Sequence, residues 1–182
     1  MSEMFPRRVF LRGLGVVAAA AALTACSSTN EAVNQALIEG AVGGIVATDC
    51  KIGRSRYWAA NATVPVNEIS FRIVMTNVSS KPVTLSGDNF ATTLDGTPIP
   101  PFNFSARDVG DADIWRTYDS LTIRPGEERS VALAYEISQP TYDSWYSSSR
   151  TVAVSFTCGN QRVTYTKNSR SDEITVSDIE TL

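Results

Sequence analysis

Hydrophobic and polar residues alternate along three stretches of the chain. In each stretch every second residue is apolar, and the residues between are mostly small or polar. The apolar positions are Ile69, Phe71, Ile73 and Met75; Val131, Leu133, Tyr135 and Ile137; and Val152, Val154, Phe156 and Cys158. Because successive side chains of a β-strand point to opposite faces, this period of two predicts strands with one buried face.

Turn sequences separate the predicted strands. Turn composition is found at residues 77–82, at residues 124–127 and at Gly159-Asn160. The pair Asp95-Gly96 is a strong hairpin signal. This pattern predicts a mainly β fold, an antiparallel β-sandwich over residues 43–168. Residues 169–182 are polar and form either a tail or an added edge strand.

The segment before the sandwich has a helical period. Ala32, Val33, Ala36 and Leu37 recur at helical spacing, and the glycines from Gly40 onward end the pattern. A short N-terminal helix is therefore predicted over residues 31–39, within a tether that spans residues 26–42.

Three segments resemble a known kind of domain. Residues 71–83, Leu94-Asp95-Gly96 and residues 121–127 are similar to immunoglobulin-like domains of unknown function carried by many bacterial lipoproteins. Those domains share an Asn-x-Ser-x-Lys-Pro turn, and a Pro-Gly-Glu turn before a strand that ends as Tyr135-Glu136-Ile137 does here. The resemblance covers roughly residues 69–156 and implies an immunoglobulin-like fold, but turn chemistry says little about function.

The first 25 residues have the features of a cleaved export signal. A basic start is followed by an apolar stretch from Gly13 to Leu23, about half the length that a membrane-spanning helix needs. Leu23-Thr24-Ala25-Cys26 resembles the lipobox of bacterial lipoproteins, which implies lipid on Cys26 and cleavage before it. The alternative is an ordinary leader in which Cys26 has no role.

The basic start also resembles the twin-arginine export motif. Arg7 and Arg8 are followed by one residue and then by Phe10 and Leu11. A general secretory signal with two adjacent arginines is the alternative. Ser27, rather than Asp, follows Cys26, which implies the outer membrane in a cell with two membranes and the outer face of the cell membrane otherwise.

Charge and composition exclude several functions. Removing Arg7, Arg8, Arg12 and Glu3 of the leader from the totals of 16 basic and 19 acidic residues leaves 13 and 18, a net charge of −5. Nucleic acid is therefore not an expected partner. The chain has no histidine, which excludes Ser-His-Asp triads and most catalytic zinc sites. No enzymatic activity, cofactor or metal is predicted.

Cys50 and Cys158 remain once Cys26 carries lipid. Since export leads to an oxidising compartment, a disulfide between them is expected. A reactive or metal-binding thiol pair is the alternative, although no histidine is present to complete a site.

Two groups of aromatic loop residues and one acidic loop are candidates for binding. Trp115 with Tyr118, and Tyr142 with Trp145 and Tyr146, lie in predicted loops, where aromatic side chains either bind a ligand or cap the open ends of the sandwich. Residues 108–113 carry three carboxylates, which form either a solvated loop or a calcium site.

These features predict a membrane-anchored envelope lipoprotein without catalytic activity. The first hypothesis for its partner is another envelope protein. The second is carbohydrate or peptidoglycan bound by the loop aromatics, and the third is a hydrolase that uses a pair of carboxylates.

Overall fold

The computed structural model describes residues 40–57, 63–101, 103–109 and 115–182. The export signal, Cys26 and the predicted helix at 31–39 lie outside these residues. The strands are β1 Ile45–Tyr57, β2 Val66–Asn77, β3 Val83–Ser86, β4 Phe90–Leu94, β5 Thr97–Ile99, β6 Asn103–Asp108, β7 Arg116–Thr117, β8 Ser120–Ile123, β9 Glu128–Glu136, β10 Thr151–Cys158, β11 Gln161–Asn168, β12 Ile174–Val176 and β13 Glu180–Thr181. A 3-10 turn spans Gly87–Asn89, and the short helix α1 spans Gln139–Asp143.

The strands form two main antiparallel sheets. The first has the order β1-β2-β9-β6-β7, and the second has the order β12-β11-β10-β4-β5, with β13 also paired to β11. Strands β3 and β8 form a separate pair. The orders β1-β2-β9-β6 and β11-β10-β4 match the A-B-E-D and G-F-C sheets of an immunoglobulin domain. The prediction of a mainly β, immunoglobulin-like sandwich is therefore confirmed.

The alternating residues form the core between the sheets. Ile69, Phe71, Ile73 and Met75 of β2 are each at most 1% exposed. Phe71 crosses to the second sheet, where its ring lies 5.6 Å from that of Tyr165 and 6.2 Å from that of Phe90. Burial of these side chains on the inner faces holds the two sheets together.

Strand β1 is longer than the sequence pattern indicated. The sequence suggests an early strand only from Gly44 to Asp49, whereas β1 continues to Tyr57. Pairing with β2 shifts between Thr48 and Lys51, and Asp49 has a φ of 49°. This β-bulge interrupts the alternation, which is why the period of two did not reveal the second half of the strand.

Residues 169–182 contain paired strands. β12 and β13 both pair with β11, so this segment adds an edge to the second sheet.

Candidate functional site

The predicted disulfide is absent, and Cys50 and Cys158 are free thiols. Cys158 pairs with Gln161 at the start of β11, whereas Cys50 lies near Tyr165 and Lys167, at least four residues further along that strand. Four strand residues span about 13 Å, and a disulfide requires Cα atoms within about 7 Å. The two cysteines therefore lie at different positions along β11, too far apart to form a disulfide.

Burial also keeps both thiols protonated. It raises the pKa of Cys50, an effect that the nearby Lys167 charge only partly offsets. Burial raises the pKa of Cys158 as well. Since the thiolate is the nucleophile and the metal ligand, these thiols are poor candidates for the reactive pair that the sequence left open.

The second aromatic group caps one end of the sandwich. Trp145 is 3% exposed and belongs to the core, which fits the alternative that this group caps the sandwich, and its ring is not part of an accessible binding surface. The Arg54 guanidinium carbon lies 4.3 Å from the ring centroid of Tyr142 and 4.5 Å from that of Tyr146. Arg54 also donates to the Tyr142 carbonyl. These contacts hold the α1 segment against the end of β1.

The first aromatic group divides in the same way. Tyr118 packs against the core, and its backbone N–H donates to the carbonyl of Phe104 at 3.0 Å. Trp115, three residues earlier, is half-buried and lies over the outer face of the first sheet. Of the predicted aromatic residues, Trp115 is therefore the one that stands at a candidate site.

Small side chains form the floor beneath Trp115. Residues directly opposite one another on neighbouring antiparallel strands share a face. On the outer face, Ser70 of β2 is opposite Ala134 of β9, which is opposite Asn103 of β6. The next row places Arg72 opposite Ala132, and Ala132 opposite Ser105.

Arg72 and Trp115 meet above this floor. Arg72 is on β2, and Trp115 immediately precedes β7, three strands away in the sheet. The Arg72 guanidinium carbon lies 5.7 Å from the Trp115 ring centroid, so the two side chains reach toward each other over Ala132 and Ser105. We call this outer surface the Trp115 face. The small residues leave room for the contact and for depressions on both sides of it.

Two shallow depressions flank Trp115. The first, of about 190 Å³, is lined mainly by neutral polar and small residues and is called the neutral depression; its lining includes Glu68, Ser70, Asn103, Ser105, Ala132 and Ala134. The second, of about 180 Å³, is called the cationic depression; its lining includes Asp49, Lys51, Arg72, Arg107 and Ser130. Both are smaller than the about 300 Å³ of an ordinary enclosed ligand pocket, so they suit a ligand that lies along the surface.

The sequence pattern did not identify the residues that accompany Trp115. Ser70 and Arg72 occupy the polar positions of an alternating strand, which are normally solvated. Their pattern therefore carried no signal for binding. The signal lies in the register, which places small residues in adjacent rows beneath one tryptophan.

The acidic loop is described only in part. Asp108 forms an ion pair with Arg129, and residues 110–113 lie outside the described residues. Within the described part of the chain, no three acidic or cysteine side chains are grouped as metal ligands. No helix in that part is long and apolar enough to cross a membrane.

Comparisons with known proteins add little to this geometry. No protein-family model and no curated protein matches the chain. An uncharacterized β-sandwich protein from Clostridium difficile 630 is 13% identical, with 73% of this chain and 82% of that chain covered at a TM-score of 0.39. The yjhA protein from Bacillus subtilis is 17% identical, with 62% and 73% covered at a TM-score of 0.39. Similarity this low carries no argument about function.

Proposed function

We propose that this chain is an exported, lipid-anchored module that binds carbohydrate on the Trp115 face and has no catalytic activity. The observation that supports the proposal is the position of Trp115 above a floor of small side chains. Sugars present hydroxyl groups around a flat apolar face. An aromatic ring beside carboxylate, amide and hydroxyl groups complements both features.

The neutral depression offers groups of the required kinds. Glu68 accepts hydrogen bonds, Asn103 donates and accepts them, and the Ser70 hydroxyl does both. Glu68 is the one carboxylate among the described residues that line this depression, and Glu136, directly opposite it on β9, is not part of the lining. Glycoside hydrolysis usually needs two carboxylates that both reach the substrate, so this lining supports binding.

A protein partner is less well supported than carbohydrate. The centre of a protein interface is enriched in large apolar side chains that become fully buried. Among the described residues, the large exposed hydrophobic side chains are Val64, Val109, Tyr146 and Leu182, and none of them lines either depression. We therefore favour carbohydrate over the envelope protein that the sequence suggested first.

The membrane anchor belongs to the same proposal. Lipid on Cys26 would hold the domain at the envelope through residues 27–39, and several acyl chains anchor far more firmly than one. We expect the unsubstituted chain to incorporate labelled palmitate and Cys26→Ala to incorporate none. Equal labelling of the two forms would show that Cys26 is not the acylated residue.

Sedimentation of the full mature chain with purified, insoluble cell-wall glycan tests the binding site. Trp115→Ala is expected to weaken binding by about tenfold or more, since loss of a well-placed aromatic contact removes at least about 1.4 kcal/mol. Tyr146→Ala is the matched control, because Tyr146 is 62% exposed and lines neither depression.

Two outcomes would count against the proposal. Equal binding by Trp115→Ala and the unsubstituted chain, with both folded by circular dichroism, would exclude the Trp115 face. Failure to sediment with glycan, together with crosslinking of Trp115-dependent protein partners, would return the function to protein binding.

A further inference from the structure

We infer that the carbohydrate bound on the Trp115 face is anionic, and that its carboxylate or phosphate group occupies the cationic depression. The inference rests on the proposed function and specifies the chemical class of the ligand. Three cationic side chains line this depression: Lys51, Arg72 and Arg107.

Like charges are adjacent in the cationic depression. Lys51 is directly opposite Arg72 in the pairing of β1 with β2, and like charges at directly opposite positions destabilise a sheet. The Arg107 guanidinium carbon lies 4.9 Å from the Trp115 ring centroid, which Arg72 also approaches. Two arginines therefore converge on one ring, and a lysine stands beside them.

The charge of this depression is opposite in sign to that of the whole chain. Residues 26–182 carry a net charge of −5. In the described part of the chain, the cationic depression is lined by three cationic side chains and one carboxylate, Asp49, a net charge of +2. A cationic surface on an acidic protein attracts anions selectively.

The bulge in β1 orients Lys51 toward this depression. Lys51 is three positions after Thr48, so an uninterrupted alternation would place their side chains on opposite faces, whereas the bulge absorbs one residue and keeps both on the outer face. Asp49, within the bulge, has a φ of 49°, a left-handed conformation that is uncommon for residues other than glycine. Bulges that re-aim a side chain are common beside binding sites.

The two depressions are adjacent. Arg72 and Trp115 line both of them. A sugar ring in the neutral depression would therefore place an acidic substituent, or the next acidic residue of the glycan, within reach of the guanidinium groups. Arginine recognises carboxylate and phosphate through paired hydrogen bonds.

Calorimetric titration of the mature chain with matched probes tests the inference. The carboxylate probe is a galacturonic acid tetramer and its neutral counterpart is the methyl ester. The phosphate probe is maltotetraose phosphorylated at one 6-hydroxyl and its counterpart is maltotetraose. We expect at least one acidic probe to bind about tenfold more tightly than its counterpart, with an affinity that falls as salt increases.

Charge-removing variants locate the effect. Lys51→Gln and Arg107→Gln are expected to reduce the preference for the acidic probe to within about twofold. Lys81→Gln removes the same charge from an exposed turn and is expected to retain the preference. Denaturation by urea confirms that each variant is folded.

The outcomes separate this inference from the proposed function. Equal, Trp115-dependent affinity for acidic and neutral probes would overturn the inference and leave carbohydrate binding in place. A preference that survives in Lys51→Gln and Arg107→Gln would also overturn it. Binding of no probe would overturn the inference, while sedimentation with cell-wall glycan would still decide the proposed function.

Discussion

Asn77 is a fully buried polar side chain at the end of β2. Its amide nitrogen donates to the carbonyl oxygens of Lys81 and Ile123, both at 2.8 Å. Its amide oxygen accepts from the backbone N–H of Ser79 at 2.9 Å and from the Ser79 hydroxyl at 2.7 Å. One residue thus holds the turn after β2 and joins it to the end of β8.

We expect Asn77→Ala to lower the free energy of unfolding by about 3 kcal/mol, because it leaves several buried polar groups without partners. Equilibrium denaturation in urea measures the change. Asn160→Ala in an exposed turn is the control and should change stability by less than about 0.5 kcal/mol. Similar small losses in both variants would show that Asn77 does not anchor the turn.

The burial of Trp145 does not follow from its local sequence context. It lies in a polar segment between Ser144 and Tyr146, which suggested a loop surface. The chain folds back as α1 over the end of the sandwich, so Trp145 enters the core while its neighbour Tyr146 stays 62% exposed. The tertiary path, and not the composition of the segment, decides which aromatic ring is buried.

At the scale of elements, the β4–β5 hairpin follows directly from two residues. Asp95 has a φ of 52° and Gly96 a φ of 80°, the left-handed conformations that a type I′ turn requires. The Asp95 carboxylate accepts from the Thr151 N–H and from Arg150, both at 2.8 Å. Both bonds lower the pKa of Asp95, and the bond from Arg150 has the larger effect.

We expect Gly96→Ala to destabilise the domain by about 1 kcal/mol, because a Cβ atom disfavours the left-handed conformation. A Cβ added at Gly96 would meet no atom within 4 Å, so the cost comes from the backbone alone. Gly53→Ala is the matched control, since its Cβ would also meet no atom within 4 Å and its φ is not left-handed.

Thermal unfolding of the two alanine variants distinguishes the causes. Gly53→Ala should be as stable as the unsubstituted chain or slightly more so, because alanine loses less backbone entropy in a strand. If both variants lost the same stability, a left-handed turn at Gly96 would not explain the effect.

At the scale of the molecule, ionisable groups in the core limit stability at high pH. Tyr135 is fully buried between the sheets, and burial raises its pKa to about 12, with a smaller opposing effect from Thr92. The hydroxyl groups of Thr92 and Tyr135 do not form a hydrogen bond of normal geometry. Burial likewise raises the pKa of Tyr165. It also raises the pKa of Cys50, for which the ordinary value is 9.0.

We therefore expect stability to fall as the pH rises above about 9. Because the folded pKa of Tyr135 is raised from 10.0 to about 12, the unfolded chain loses this proton first. Between pH 10 and 12, Tyr135 should contribute a loss of about 1.4 kcal/mol per pH unit, while below pH 10 it contributes none.

Tyr135→Phe tests this contribution. Urea denaturation at several values between pH 8 and pH 12 should show a shallower loss of stability in the variant, by about the same 1.4 kcal/mol per pH unit above pH 10. Parallel curves for the two proteins would contradict the assigned burial effect.

Much of the fold could be predicted from local patterns in the sequence. The alternation in β2, β9 and β10 predicted their buried faces, and Asp95-Gly96 predicted a hairpin. These features depend on side-chain direction and backbone conformation within a few residues, which a single chain specifies locally. The bulge at Asp49 hid the second half of β1 because it breaks that alternation.

The candidate site depended on relations that the sequence does not display. Trp115 was predicted as a binding residue, but its partner Arg72 is 43 positions earlier in the chain. Their meeting requires the order β2-β9-β6-β7 and the register that places Ala132 and Ser105 between them. A shift of one residue would have turned these side chains to the other face.

The cysteines and the strand pattern both separate what local sequence sets from what tertiary packing sets. Local sequence sets which residues alternate, where the chain turns, and that residues 50 and 158 are cysteines. The pairing of strands and the packing of the sheets set the separation of these two thiols and place small residues beneath Trp115. Local propensity acts between neighbours in the chain, whereas proximity between distant residues is set by how strands pair and how the sheets pack.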